Sequence, residues 1–110
     1  MVVTVETLSQ NGKFSAVALP EPQREINGVY IGDLLSWVMG RAKADDAWIT
    51  IMSNINVVAV ASLADVSCVI LAEGVTLDEA TVKAAEGKGI NVLKTELPIY
   101  ETAKILSELI

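Results

Sequence analysis

The rhythm of apolar and polar positions changes near residue 47. Beyond it, Ala47 to Met52, Ser67 to Leu71 and Asn91 to Leu93 are short apolar runs rich in Val and Ile. They are continuous rather than alternating, as expected of parallel strands covered on both faces. Between the second and third runs, Thr76-Leu77-Asp78-Glu79 predicts a helix start, with Thr at the N-cap and Glu three residues later. Gly87 and Gly89 close that helix. After the third run, Pro98 sits where a first-turn proline is tolerated, and Ile99, Ala103, Leu106 and Ile110 follow at helical spacing.

The stretch Val57 to Ala64 pulls two ways. Val57, Val58 and Val60 favour a strand by propensity. Two neighbouring parallel strands, however, need a crossover, usually a helix. The stretch is therefore predicted to be a helix capped by Asn54 or Asn56. A helix apolar all round is buried on both sides, which in so small a chain leaves room for a second subunit as cover.

The first third is less regular. Thr4 is placed to cap a short helix carrying Val5 and Leu8, ended by Asn11-Gly12. Phe14 to Leu19 reads as a strand stopped by Pro20-Glu21-Pro22, and a second short strand runs through Val29, Tyr30 and Ile31. Gly32-Asp33 then opens a helix from Leu34 to about Arg41, with Asp33 as N-cap and Leu34, Leu35, Trp37 and Val38 as its apolar stripe. The whole reads as one domain, residues 1–110, of α/β class: a small layered domain with a mostly parallel β-sheet flanked by helices.

Composition narrows the function. Apolar residues make up 52% of the 110 and charged residues 20%. This is a folded chain with apolar surface to spare, which suggests self-association or a partner. The net charge of −6, without a basic stripe, speaks against nucleic acid and against anionic membrane surfaces. No apolar run approaches the roughly 18 residues of a membrane span. The N-terminus lacks a basic-then-apolar signal pattern, so the expected setting is a reducing cytoplasm.

There is no histidine, which removes Ser-His and Cys-His nucleophiles, imidazole acid–base work and His-ligated metals. The single cysteine, Cys68, lies in an apolar run and reads as a buried, inert thiol. Neither Lys43 nor Lys88 has phosphate-loop spacing, and Gly87-Lys88-Gly89 reads as a helix stop. Glu73 and Glu96 are the one conceivable acid–base pair, and Asp45-Asp46 reads as a surface turn. No cofactor, metal site or catalytic residue is expected.

Candidate ligand-binding residues lie at the carboxyl ends of the strands, where open parallel sheets bind ligands. They are Asp33, Ser53, Asn54, Asn56, Glu73 and Thr95. The competing reading is that Asp33, Asn54 or Asn56, and Thr76 are helix caps only. Trp37 and Trp48 are core residues by default, but tryptophan is also enriched at interface hot spots.

Five stretches carry a family resemblance. They are Gly28 to Leu35, Ala47 to Thr50, Val69 to Val75, Gly89 to Leu93, and Tyr100 to Ala103. Over roughly Gly28 to Ile110 the chain resembles the DRTGG domain. It has no Asp-Arg-Thr-Gly-Gly run, and carries Ser53-Asn54-Ile55-Asn56 where the family tends to place polar motif residues. The resemblance implies a small α/β unit similar to the N-terminal domain of HPr kinase/phosphorylase, also found between nucleotide-binding CBS domains in some pyrophosphatases. It implies a regulatory or associative role, often at subunit contacts. Three functions follow in order: a non-catalytic regulatory or interaction module, homodimeric and set beside an enzyme or signalling protein; a sensor of a nucleotide-like ligand at the Ser53–Asn56 edge; and, last, an enzyme.

Overall fold

Strands that are apolar on both faces need a layer of side chains above and below them. The computed structural model, which describes residues 2–110, supplies both layers. Its elements are α1 (Val5–Ser9), β1 (Ser15–Ala18), β2 (Gly28–Ile31), α2 (Leu35–Arg41), β3 (Asp46–Thr50), α3 (Asn56–Ala64), β4 (Cys68–Leu71), α4 (Glu79–Gly87), β5 (Val92–Lys94) and α5 (Ile99–Leu109). The sheet order is β1-β5-β4-β3-β2. Strands β2 to β5 are parallel neighbours, and β1 joins the far edge antiparallel to β5. The α/β class and the mostly parallel sheet are as the sequence predicts.

Each parallel step moves one strand in the same direction. Right-handed crossovers then place α2, α3 and α4 on a single face. There Val38, Val57, Val58, Ala61 and Ala85 pack against Trp48, Val69, Leu71 and Val92. The other face would be bare without the ends of the chain. Val5 and Leu8 of α1, Phe14, and Leu106 of α5 cover Ala47, Ile49, Cys68, Ile70 and Leu93. Alternate residues of β3 and β4 therefore enter opposite cores, and every residue of both strands is buried.

Ladders between distant segments hold the irregular first third in place. The Val5 amide bonds the Arg24 carbonyl, and the Ile26 amide bonds the Val3 carbonyl. Arg24 donates to Asp45 at 2.6 Å and to Asp65 at 3.1 Å, clasping two turns whose aspartates have left-handed backbones. Partial burial alone would lower the guanidinium pKa, but the Asp45 bond and the Asp65 charge outweigh it and hold the group above its ordinary value. Asn91 bonds both backbone groups of Glu21 and the carbonyl of Ser67, tying β5 to that same segment.

The segment Val57–Ala64 is helical, as topology requires, but it is not buried all round. Val57, Val58, Val60 and Ala61 face inward, while Ala59, Ser62 and Leu63 are exposed. Helices α2 and α4 cover its flanks. Asp46 is another correction: it is buried rather than on the surface, and its carboxylate accepts the Lys43 amide at 2.8 Å. A Cβ at Gly28 would lie 2.6 Å from that carboxylate, which is why glycine opens β2.

Helix α4 starts two residues later than the Thr76 pattern predicts. Asp78 is the N-cap, and its side chain accepts the Thr81 amide at 2.8 Å. That bond lowers the Asp78 pKa. A depressed folded-state pKa means stability that is present above the unfolded value and lost as pH falls through the folded one. Asp78→Ala is expected to lower Tm at pH 7, with the gap from wild type closing as pH falls below about 4. Thr76→Ala is expected to leave Tm unchanged, and thermal melts of the three proteins across pH check both.

Candidate functional site

Because β2 to β5 are parallel, their carboxyl ends share one edge, and the loops after them line it. That edge has two unlike halves.

The half beyond β2 and β3 is braced by a side chain. Asp33 does not cap α2, whose N-cap is Leu34 and carries no side-chain bond. Instead the Asp33 carboxylate accepts the Thr50 hydroxyl at 2.7 Å and the Ile51 amide at 3.1 Å. The Thr50 oxygen in turn accepts the Met52 amide at 3.1 Å. Trp48 adds a third tie: its indole N–H reaches the Gly32 carbonyl at 2.8 Å. Thr50 is wholly buried, so its hydroxyl needs a partner, and Asp33 is that partner. Asp33 thus acts as a brace between two loops, while its exposed edge still faces solvent.

The loop between β3 and α3 holds the other polar candidates. The Asn54 side chain accepts the Asn56 amide at 2.9 Å, a local turn that leads into the helix. Asn54 and Asn56 are exposed and Ser53 is partly so. Among the described residues, the side chains of Ser53 and Asn56 make no hydrogen bond within the chain.

The half beyond β4 and β5 is held by backbone. The Glu73 amide donates to the Leu97 carbonyl and the Gly74 amide to the Thr95 carbonyl, each at 2.9 Å. Glu73 and Gly74 both have left-handed backbones, at φ 61° and 74°. Thr95 is buried, and its hydroxyl accepts the Leu97 amide at 3.2 Å. Thr95 therefore shapes the loop, whereas the Glu73 side chain is open to solvent. The six candidates share one edge, in two groups: Asp33 with the Ser53–Asn56 loop, and Glu73 with Thr95. The residue that sequence reasoning missed is Thr50. A lone Thr ending an otherwise apolar strand is the signal that marks it.

Tryptophan 48 is core, but Trp37 is not. It is 51% exposed, with the Arg41 guanidinium stacked 3.8 Å from its ring. Ile31, Leu34, Ile51 and Ile55 are exposed as well. Cys68 is fully buried, and burial pushes its thiol up to about 12 despite the nearby Arg24 charge. It is an inert core residue. No group of three His, Cys, Asp or Glu among the described residues is arranged to hold a metal, and no helix is long and apolar enough to cross a membrane.

The DRTGG domain model matches residues 17–109. The chain belongs to the DRTGG domain family. The match begins earlier than Gly28 and takes in the second half of β1, Val17 and Ala18. The fold is similar to the CBS and DRTGG domains of the regulatory region of Clostridium perfringens pyrophosphatase complexed with its activator, diadenosine tetraphosphate. The TM-score is 0.70 at 17% identity, over 83% of this chain and 40% of that one. This chain thus spans well under half of that regulatory region. No curated protein matches.

Removing the brace leaves the buried Thr50 hydroxyl proton without its acceptor. Asp33→Ala is expected to destabilise the fold by about 1–3 kcal/mol and to speed hydrogen exchange at the Ile51 amide. Asn54→Ala, which breaks an exposed turn, is expected to cost about 0.5 kcal/mol. Chemical denaturation and exchange NMR check the two.

Proposed function

We propose that this chain is a non-catalytic regulatory module that pairs with a second copy of itself and acts on a partner enzyme or signalling protein in the cytoplasm. The observation that carries the reading is the apolar corner at the β2 edge. Leu34, Trp37, Ile51 and Ile55 each leave between 41 and 57% of their surface open. Leu34 and Ile51 sit on loops that the Asp33 side chain ties together, and Trp37 follows Leu34 on α2, its amide bonding the Leu34 carbonyl. Ile31, in register with Ile49, leaves the sheet on the other face.

A monomer seldom leaves so many large apolar side chains together. A twofold axis through the corner would set the same patch against itself, as the centre of an interface of about 800 Å² per partner. The one carboxylate within the corner, Asp33, is turned onto Thr50 and Ile51, so the patch presents little charge of its own. That matters between two copies that each carry −6. Trp37 with its stacked Arg41 is the pairing of residue types most enriched at interface hot spots.

A second reading is a sensor of a nucleotide-like ligand at the Ser53–Asn56 edge. It is favoured by the unpartnered Ser53 and Asn56 side chains and by the activator bound to the similar pyrophosphatase region.

Size-exclusion chromatography with light scattering is expected to give twice the 11.7 kDa of one chain at micromolar concentration. Leu34→Glu with Trp37→Glu is expected to give a folded monomer. A wild-type monomer would sink the dimer. For the second reading, diadenosine tetraphosphate at about 100 times its dissociation constant is expected to add roughly 2.7 kcal/mol in thermal shift, lost in Asn54→Ala/Asn56→Ala.

A further inference from the structure

The opposite edge of the sheet, at β1 and β5, carries a concavity that neither reading uses. A groove of about 290 Å³ lies between the α1–β1 turn and the β5–α5 loop, with Lys13 and Ser15 on one wall and Lys94, Thr95 and Glu96 on the other. The walls are fixed. Ser15 and Lys94 are register partners in the antiparallel pair, so their side chains leave the sheet on the same side. The Asn11 side chain accepts the Lys13 amide at 2.9 Å, and the Asn11 carbonyl accepts the Phe14 amide at 3.0 Å, which locks the turn. Buried Thr95 forms the floor.

Fourteen carboxylates face eight cationic side chains, yet among the described residues only Arg24 and Lys83 form ion pairs. Arg24 holds Asp45 and Asp65, and Lys83 holds Glu79. Among the described residues Lys13 and Lys94 pair with none, although Glu96 lines the same groove. The Glu96 carboxylate leans instead on Gly74, where its oxygen lies 2.9 Å from the position a Cβ would take. Two lysines without an ion pair and a serine thus line one groove, together with Glu96.

We propose that this groove binds the phosphoryl group of a small hydroxyl-bearing metabolite. Lys13, Lys94 and the Ser15 hydroxyl hold the dianion, and Glu96 accepts from a ligand hydroxyl on the side toward Gly74. Two ammonium groups match the charge of a phosphate monoester. The volume, at the lower limit of small-molecule sites, sets its size. The site lies at the opposite sheet edge from the Trp37 corner and does not depend on pairing of two copies.

The test is titration of the ¹⁵N-labelled chain, at constant ionic strength, with glycerol 3-phosphate, inorganic phosphate and glycerol. The amides of Gly12, Lys13, Lys94 and Glu96 are expected to shift and saturate with glycerol 3-phosphate at lower concentration than with inorganic phosphate, and not at all with glycerol. Lys13→Gln/Lys94→Gln is expected to weaken binding at least about tenfold. Glu96→Gln, which removes a repelling charge, is expected to tighten inorganic phosphate, an effect of opposite sign that damage to the fold would not produce. Absence of a saturable shift, or equal shifts in the double variant, overturns the site. Inorganic phosphate binding as tightly as glycerol 3-phosphate overturns the metabolite and leaves a bare anion site.

Discussion

Strands β3 and β4 are sealed on both faces, and most of the remaining structure follows from sealing them. The crossovers cover one face with α2, α3 and α4, because every parallel step runs the same way across the sheet. The other face has no crossover to draw on. The two chain ends cover it, with α1 and α5 packing on Ile49, Cys68, Ile70 and Leu93. The backbone contacts that position α1, Val5 to Arg24 and Glu6 to Pro22, hold that cover in place. Without that cover one face of the sheet would open to water.

This constraint explains what could be read from the sequence. The sealed strands and the helices between them are visible because burial on two faces leaves no room for polar residues, and Val57–Ala64 could be assigned against its strand propensity from topology alone. The caps were less legible. Asp33 and Thr76 occupy good cap positions by local pattern, yet Asp33 is drawn to Thr50, seventeen residues away, and Asp78 takes the role given to Thr76. A cap motif records local preference, whereas a buried hydroxyl elsewhere can outbid it for the same carboxylate. The exposure of Trp37 was hidden for a related reason. Its spacing places it on an apolar stripe, but α2 is only two turns long and buries Val38 alone.

The candidate edge was legible as a place and not as an arrangement. Parallel topology alone gathers Asp33, Ser53, Asn54, Asn56, Glu73 and Thr95 onto one edge. What it leaves out is that Asp33 and Thr95 are committed to holding loops, while Ser53, Asn56 and Glu73 keep free side chains. The β1–β5 groove could not be seen at all. It brings Lys13 beside Lys94 through an antiparallel pairing of distant segments, and no short-range pattern records such a pairing.

A domain of this build has little freedom inside. Among the described residues no buried side-chain nitrogen or oxygen lacks a partner, and the central strands are packed on both sides. Communication between sites requires an element with two arrangements of similar energy. The core offers none, since any shift of β3 against β4 would expose apolar surface on both faces at once. What can move are the loops beyond the strand ends, where single bonds such as Asp33 to Ile51 or Gly74 to Thr95 set the conformation. The sheet is thus a stiff frame between the loops of the β2 edge and the groove lined by Lys13, Lys94 and Glu96 at β1.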